Sequence, residues 1–243
     1  MPSLRHLPRT SLTLLAGFLA TGIASLLALI VSWFDATSPL IERITDTWSR
    51  IWLGTAGVDL SVVGGETVAP GRSSVVVANH ESNLDIMACL VALPLPIRFL
   101  AKKELFRVPL LAAAMRAIGI VEVNRQARIA VHEQINSQAR DLVAKGRSLI
   151  VYPEGTRSRT GELGLFKKGA FTIAVSTGIP ILPVAIRGTH AAWRPHTLVV
   201  KGGEVVVTIM PAIETAHLGM EATGELRDRV REQIRRRVEV GQS

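Results

Sequence analysis

Short apolar runs alternate with helical patterns from residue 73 to the end of the chain. Strands are predicted where a few apolar residues stand together between turn-forming residues, and helices where apolar residues recur every three or four positions. The predicted strands are 73–78, 97–101, 120–123, 149–152 and 182–186, and the predicted helices are 86–93, 109–118, 128–145, 168–177 and 225–238. A hairpin is predicted over 198–210, turning at Gly202 and Gly203. This alternation predicts an α/β fold with a mixed sheet.

The N-terminal segment has a different pattern. No residue between Arg9 and Asp35 is charged, and an apolar helix of this length can cross a bilayer. A signal peptide is the alternative, but the apolar part is long and no small-residue cleavage site follows it. Residues 40–52 place two tryptophans on an apolar helical stripe, which favours an interfacial helix; a helix packed on the globular domain is the other interpretation. We therefore predict a membrane-associated anchor over residues 1–56 and an α/β domain over 57–243.

Composition adds information about partners. The chain combines a net charge of +8 with a mean hydropathy of +0.31, which fits a protein that meets anionic lipid or phosphate ligands at a membrane. Nucleic acid is the other usual partner of a basic chain, but basic and aromatic residues do not interleave, so we predict no nucleic-acid binding. The single cysteine, Cys89, excludes an intrachain disulfide, and the histidine spacing predicts no metal site.

Residues 79–85, with the sequence NHESNLD, carry the candidate chemistry. They follow the predicted strand 73–78, so His80 is expected at the sheet edge where α/β proteins bind ligands, and Asp85 in the first turn of the next helix. Such a carboxylate can orient the imidazole and stabilise the imidazolium, which makes His80 a candidate general base. No serine or cysteine nucleophile motif accompanies the pair, so His80 is expected to activate a substrate hydroxyl. The alternative is a His and an Asp that satisfy backbone groups at a turn.

Two further stretches accompany this motif. Residues 152–158 read YPEGTRS and residues 179–184 read IPILPV. In this order and spacing, the set resembles the motifs of the glycerolipid acyltransferase family, which includes 1-acylglycerol-3-phosphate (lysophosphatidic acid) acyltransferases. The resemblance covers residues 73–188. It implies a mixed-sheet α/β acyltransferase domain with His80 and Asp85 as the catalytic pair and, as in some bacterial members, an N-terminal two-helix anchor.

The resemblance also implies which residues bind the substrates. Residues 119–125 match the second family motif at Gly119 and Arg125, although Asn124 stands where an Asp is frequent. Arginine suits bidentate contact with phosphate oxygens. The full set that we predict to bind substrate is Ser82, Lys102, Arg125, Glu154, Gly155, Thr156 and Arg157.

Two of these residues have a second interpretation. Ser82 precedes a predicted helix, and serine is a common N-cap, so capping is an alternative role for it. Glu154 is expected to hold the arginines or an acceptor hydroxyl; the alternative is a buried Arg–Glu pair that joins two loops.

The function that the resemblance implies is transfer of a fatty acyl group from acyl-CoA or acyl-carrier protein to a lysophospholipid hydroxyl. The expected acceptor is 1-acyl-sn-glycerol 3-phosphate, the expected product is phosphatidic acid, and no other cofactor is implied. Arg5 and Arg9 precede the apolar helix and place the N-terminus in the cytoplasm. A single crossing would separate the domain from cytosolic acyl donors, so we predict a hairpin in one leaflet of the inner membrane, with the domain on the cytoplasmic side.

Other functions remain open from the sequence alone. Another lysolipid, such as lyso-ornithine lipid, is an alternative acceptor. A CoA-independent lipid hydrolase or transacylase would use the same His–Asp pair. A non-catalytic lipid-binding protein is the third alternative, against which stand the catalytic pair and the substrate residues Arg125 and Glu154.

Overall fold

A mixed β-sheet forms the centre of the computed structural model, which describes residues 4–123 and 130–239. Within these ranges the strands are β1 Val58–Val63, β2 Val75–Ala78, β3 Ile97–Lys102, β4 Val121–Val123, β5 Ser148–Val151, β6 Ile181–Arg187 and β7 Gly203–Ile209. The α-helices are α1 Leu7–Phe34, α2 Pro39–Thr55, α3 Leu84–Ala92, α4 Pro109–Ala117, α5 Ala130–Ala144, α6 Gly169–Thr177, α7 Thr189–Ala192 and α8 Thr223–Glu239. These bounds lie close to those predicted for the elements after residue 73, and the α/β fold with a mixed sheet is confirmed.

The strand order is β1-β7-β6-β2-β5-β3-β4. The five strands from β6 to β4 are parallel, β7 is antiparallel to β6, and β1 is parallel to β7. Val75 and Val77 of β2 pack with α5, α6 and α8, whereas Val76 and Ala78 pack with α3 on the other face. Because both faces are covered, the central strands are apolar throughout. Their carboxyl ends reach one common edge of the sheet.

The hairpin predicted over 198–210 is wrong. Within that stretch the strand begins at Gly203 and pairs with β6 and β1. The residues before it contact the N-terminal helix instead, since the Val200 N–H donates to Thr10 Oγ1 at 3.0 Å. Gly202 and Gly203 have φ values of 71° and 129°, and they direct the chain into β7 rather than back on itself. The predicted elements also do not include β1, an edge strand whose apolar run is interrupted by polar residues and whose side chains are mostly exposed.

The N-terminal helices α1 and α2 form an antiparallel hairpin. Trp48 Nε1 donates to Thr21 Oγ1 at 2.9 Å, and Thr13 Oγ1 donates to the Thr55 carbonyl at 2.8 Å. Gly17 lies against the Trp52 ring, where an added Cβ would come within 2.4 Å of ring carbons. The close approach of the two helices therefore depends on a residue without a side chain.

The surface of α1 has an unusual distribution of side-chain sizes. Small residues face the protein, whereas large apolar residues are exposed. The buried set is Thr10, Thr13, Gly17, Ala20, Ser25 and Ala28, and the exposed set includes Leu15, Phe18, Leu19, Ile23, Leu27, Trp33 and Phe34. A helix on a water-soluble protein normally has the reverse arrangement. Among the described residues, α1 is also the helix whose length and composition suit a membrane.

Trp52 does not lie at a lipid interface, in contrast to the prediction for residues 40–52. Its ring is buried, stacks on Trp193 of the α/β domain at 6.0 Å between centroids, and meets Phe18 edge-on at 5.8 Å. The structure therefore supports the other interpretation for this side of α2, which is a helix packed on the globular domain. We place the boundary between the anchor and the α/β domain at residue 56, but side chains from the two parts pack together across it.

A buried ion cluster joins the start of α2 to the sheet. Arg98, 1% exposed in β3, donates to both carboxylate oxygens of Glu42 at 3.0 and 3.1 Å. Arg147, which precedes β5, also donates to Glu42 and binds the Ala36 carbonyl at 3.1 Å. Burial lowers the pKa of Arg98, and the bonds to Glu42 act in the opposite direction. The hairpin is thus attached to the sheet at the amino ends of β3 and β5.

Candidate active site

His80 and Asp85 meet where β2 ends and α3 begins. His80 Nδ1 and Asp85 Oδ2 are 2.7 Å apart. The Asp85 side chain is fully buried, whereas 13% of the His80 side chain is exposed. Since Asp85 engages Nδ1, the outer ring nitrogen Nε2 remains for substrate, and no described residue forms a hydrogen bond to it. This is the arrangement of a general base with its orienting carboxylate.

The Asp85 carboxylate is held by its own helix terminus. Its Oδ2 atom also accepts the backbone N–H groups of Glu81 at 2.6 Å and Ser82 at 2.8 Å. Three donors therefore converge on one oxygen and fix its orientation. An acidic side chain in the first turn of a helix is also favoured by the unpaired N–H groups there, so the strand–turn–helix order of the chain positions the pair locally.

Ser82 is buried and turned away from solvent. Its hydroxyl donates to the Trp193 carbonyl at 2.7 Å and accepts the Leu84 N–H at 3.3 Å. Both bonds are internal, and the one from the Leu84 N–H satisfies the first backbone group of α3, although the N-cap residue of that helix is Asn83. The substrate contact of Ser82 remains a prediction. The bond to Trp193 also connects the loop between β2 and α3 to α2, because the Trp193 ring stacks on Trp52.

Tyr152 packs against the base, a contact that the sequence analysis does not identify. Its ring stacks on the His80 imidazole with 4.2 Å between centroids and 17° between planes. Burial, more than the neighbouring Cys89 and Asp85, raises the pKa of the Tyr152 phenol well above its ordinary value. The phenol therefore stays neutral, and its ring limits rotation of the imidazole. Tyr152 is the first residue of the stretch 152–158, which matches the third family motif, and an aromatic residue directly after a strand is the signal that could have indicated this contact.

Glu154 connects two loops through their backbones. Its Oε1 accepts the His80 N–H at 2.7 Å, and its Oε2 accepts the Gly164 N–H at 2.9 Å. Burial raises the pKa of Glu154, while the two N–H donors lower it. No arginine among the described residues contacts this carboxylate, so neither the arginine-holding role nor the Arg–Glu pair is seen there. Glu154 holds the His80 backbone, and its contact with an acceptor hydroxyl remains a prediction.

The rest of the third motif forms a turn at the same edge. Gly155 has a φ of 75°, and an added Cβ would lie 2.6 Å from Lys167 Nζ, so the position favours glycine. Thr156 is exposed. Arg157 donates to the Asn83 side chain and remains partly exposed. Contacts of these residues with substrate remain predictions.

The parallel topology brings the other predicted residues toward this edge. β2, β5, β3 and β4 are successive neighbours, and the carboxyl ends of β2, β5 and β3 carry His80, the third motif and Lys102 in turn. β4 lies within the second motif. Lys102 is exposed at the last position of β3. Arg125 lies outside the described residues, two positions along the chain from the end of β4 at Val123.

Two buried polar residues beside the pair are absent from the predicted set. Asn79 and Glu81 flank His80 in the sequence and are 1% and 5% exposed. Asn79 Nδ2 donates to Glu81 Oε1 at 2.9 Å. Their position inside the first motif is the one signal that the sequence offers for them.

This fold and this His–Asp pair fit the acyltransferase class that the motifs resemble. The chain belongs to the acyltransferase family, whose model matches residues 59–187. The family resemblance seen in the motifs is therefore confirmed.

Several relatives of known activity extend this result. A 1-acyl-sn-glycerol-3-phosphate acyltransferase of Borreliella burgdorferi is 30% identical over 78% of this chain and 76% of its own length. One from Saccharomyces cerevisiae is 36% identical over 73% of this chain and 59% of its own length. The aligned region covers 53% of the enzyme from Cocos nucifera, so the chain spans little more than half of some relatives.

A solved structure agrees with the whole described fold. The crystal structure of PlsC, the 1-acyl-sn-glycerophosphate (LPA) acyltransferase of Thermotoga maritima, matches 99% of this chain and 97% of its own. The TM-score is 0.86 at 28% sequence identity. The likeness therefore includes the helical hairpin as well as the α/β domain.

Proposed function

We propose that this protein transfers a fatty acyl group from an acyl thioester, acyl-CoA or acyl-carrier protein, to the free hydroxyl of 1-acyl-sn-glycerol 3-phosphate. The product is phosphatidic acid. The observation that carries this proposal is the 2.7 Å His80–Asp85 pair at the carboxyl edge of the sheet. The relatives from Saccharomyces cerevisiae and Borreliella burgdorferi are 1-acyl-sn-glycerol-3-phosphate acyltransferases, which supports the choice of acceptor.

The reaction follows from the geometry of the pair. His80 Nε2 takes the proton of the acceptor hydroxyl as that oxygen attacks the thioester carbonyl carbon, while Asp85 stabilises the imidazolium. The tetrahedral oxyanion then collapses, the carbon–sulfur bond breaks, and the thiolate leaves with the proton from His80. The new ester is released with the free thiol, and the base returns to its starting state. The acyl donor is the one co-substrate in this scheme.

Cationic residues at the same edge are proposed to bind the phosphate groups. Arg125 would make bidentate contact with the acceptor phosphate, and Arg157, with Gly155 and Thr156 on the same turn, would share it. Lys102, exposed at the end of β3, would meet phosphates of the donor. Glu154 takes part by holding the His80 backbone, and its contact with an acceptor hydroxyl remains a prediction.

The test uses purified protein, one labelled acyl-CoA and a panel of lysolipids, with the products identified by mass. Lysophosphatidic acid should be the preferred acceptor. Arg125→Lys should raise the acceptor KM about tenfold or more, with the donor KM little changed, because charge-assisted hydrogen bonds are lost. An equally good acceptor without a phosphate would support lyso-ornithine lipid instead. Acyl transfer or hydrolysis without a thioester would support the transacylase or hydrolase alternative.

We propose further that the hairpin lies in one leaflet of the cytoplasmic membrane, with the active site on the cytoplasmic side. The small buried stripe of α1 suits close helix packing, and its large exposed apolar residues suit lipid contact. An apolar groove of about 570 Å³ between α1 and α2 continues this face. Because α1 packs along α2 and α4, it is not available to cross the membrane away from the domain.

Replacing part of this face should weaken membrane attachment. In Ile23→Glu/Leu27→Glu, two charges stand on the exposed side of α1, and we expect a substantial fraction of the protein to leave the membrane pellet after a high-salt wash. Val63→Glu, at an exposed apolar position of β1, is the matched control and should stay in the pellet. Equal retention of the double variant and the control would contradict the proposed lipid face.

A further inference from the structure

Glu81 is a buried carboxyl group between the two catalytic residues, and the proposed acyl transfer does not use it. Its side chain is 5% exposed, although glutamate is rarely buried without a role or partner. Its backbone N–H donates to Asp85 Oδ2 at 2.6 Å. The Glu81 backbone is therefore bonded to the carboxylate that orients His80. A charge on the Glu81 side chain would act on His80 and on the substrate atoms that react beside it.

One N–H group donates to the Glu81 carboxyl, since Asn79 Nδ2 lies 2.9 Å from Oε1. The backbone N–H of His190 in α7 lies near enough to the carboxyl to lower its pKa. Asn79 is itself fixed on β6, since its Oδ1 accepts the Ile186 N–H and its Nδ2 donates to the Ile186 carbonyl, both at 2.7 Å. The Glu81 side chain therefore joins the loop of residues 79–83 between β2 and α3, the catalytic loop, to β6 through Asn79.

The charged groups around Glu81 come from three elements. Asp85 lies on α3, Glu154 follows β5, and His80 is the preceding residue of the catalytic loop. Burial is the main cause that raises the pKa of Glu81, the charges of Asp85 and Glu154 add to it, and the N–H groups of Asn79 and His190 oppose it. The resulting pKa is about 8, so the side chain is mostly a neutral acid at neutral pH.

We propose that Glu81 is a positioning residue that works in its protonated form, tying the catalytic loop to β6 through Asn79 without placing a second negative charge beside Asp85. This inference rests on the proposed acyl transfer. Negative charge develops on the tetrahedral oxyanion and on the departing thiolate, close to His80. An ionised Glu81 in this poorly solvated site would oppose that charge, whereas the neutral acid keeps the same hydrogen bonds without doing so.

The pH dependence of kcat, at saturating donor and acceptor, distinguishes this role from packing alone. Glu81→Gln is neutral at every pH, and its amide oxygen can accept the Asn79 N–H. We expect the unmodified enzyme to lose activity as the pH rises through about 8, and Glu81→Gln to hold its own neutral-pH rate to higher pH. Glu81→Leu removes the acceptor of the Asn79 N–H and should lower kcat about tenfold at every pH.

Glu66→Gln, exposed in the turn after β1, is the matched control and should follow the profile of the unmodified enzyme. Spontaneous thioester hydrolysis at alkaline pH is measured without enzyme and subtracted. An alkaline loss that persists in Glu81→Gln overturns the proposal. So does a folded Glu81→Gln protein with no activity at neutral pH, because that result would mean that the ionised form is required.

A second measurement does not depend on catalysis. The pKa of a glutamate is about 4.5 in its ordinary state and about 8 at Glu81, so between these values the folded protein binds more protons than the unfolded chain. The unmodified protein therefore loses stability as the pH rises through this interval, whereas Glu81→Gln has no such group to titrate. The free energy of unfolding of the variant, relative to the unmodified protein, should rise over this interval and then level off.

A stability difference that does not change with pH would show that Glu81 is not protonated in the folded protein and would overturn the proposal. This outcome is separate from a failure of the proposed function, in which the unmodified protein itself would transfer no acyl group to any lysolipid.

Discussion

His80→Ala is expected to lower kcat by about 10²–10⁴-fold while the protein stays folded, because that is the usual contribution of a general base. The side chain bonds to Asp85, but the loop is held through the His80 backbone, whose N–H donates to Glu154 and whose carbonyl accepts the Ser158 N–H at 2.7 Å each. These links survive the substitution. The measurement is the initial rate at saturating donor and acceptor, together with thermal unfolding.

His217→Ala, at an exposed histidine after β7, is the matched control and should keep the unmodified rate. Asp85→Asn is expected to be nearly as severe as His80→Ala, because its amide nitrogen can present a donor to His80 and favour the wrong tautomer. Near-normal turnover in a folded His80→Ala protein would exclude the mechanism.

Glu42→Gln is expected to reduce the free energy of unfolding by about 3 kcal/mol, since breaking a buried ion pair costs about 3–5 kcal/mol. The substitution leaves Arg98 and Arg147, whose side chains are 1% and 6% exposed, without their carboxylate partner. The Glu42 side chain is 31% exposed, which places the expected loss at the lower end of the range. The measurement is denaturant unfolding in detergent micelles.

Asp46→Asn is the matched control, because it removes an ion pair one turn further along the same helix. The Asp46 and Arg50 side chains are 38% and 62% exposed, and such surface pairs contribute about 0–1 kcal/mol. Equal effects of Glu42→Gln and Asp46→Asn would show that the buried cluster contributes no more than a surface pair.

These two predictions concern opposite edges of one sheet. The catalytic pair lies at the carboxyl ends of the parallel strands, where Ser82 bonds to Trp193 and Trp193 stacks on Trp52 of α2. The Glu42 cluster lies where β3 and β5 begin. The hairpin is thus attached near both the amino ends and the carboxyl ends of the strands. The α/β domain therefore keeps a fixed orientation relative to the exposed apolar face of α1. This attachment would hold the active site at a constant depth beside a membrane.

The sequence by itself determined the features that depend on neighbouring residues. β2 is recognisable because its side chains are apolar on both faces, and α8 because Leu226, Val230, Ile234 and Val238 recur on one buried stripe. The contact of His80 with Asp85 is also local, since five positions across a strand–turn–helix junction bring the ring and the carboxylate together. Patterns of this kind are fully contained in a short stretch of chain.

Tertiary structure alone decided the features whose partners are distant in the sequence. Glu42 and Arg147 are 105 positions apart, and Glu154 reaches the His80 backbone across 74 positions. Trp52 resembles an interfacial residue until Trp193 covers it. In the sequence, Glu81 is one polar residue of a motif. In the folded protein, burial and the charges of Asp85 and Glu154 raise its pKa. The solvation of a side chain and the charges near it depend on the residues packed around it. Hydrophobic periodicity does not indicate which distant residues these are.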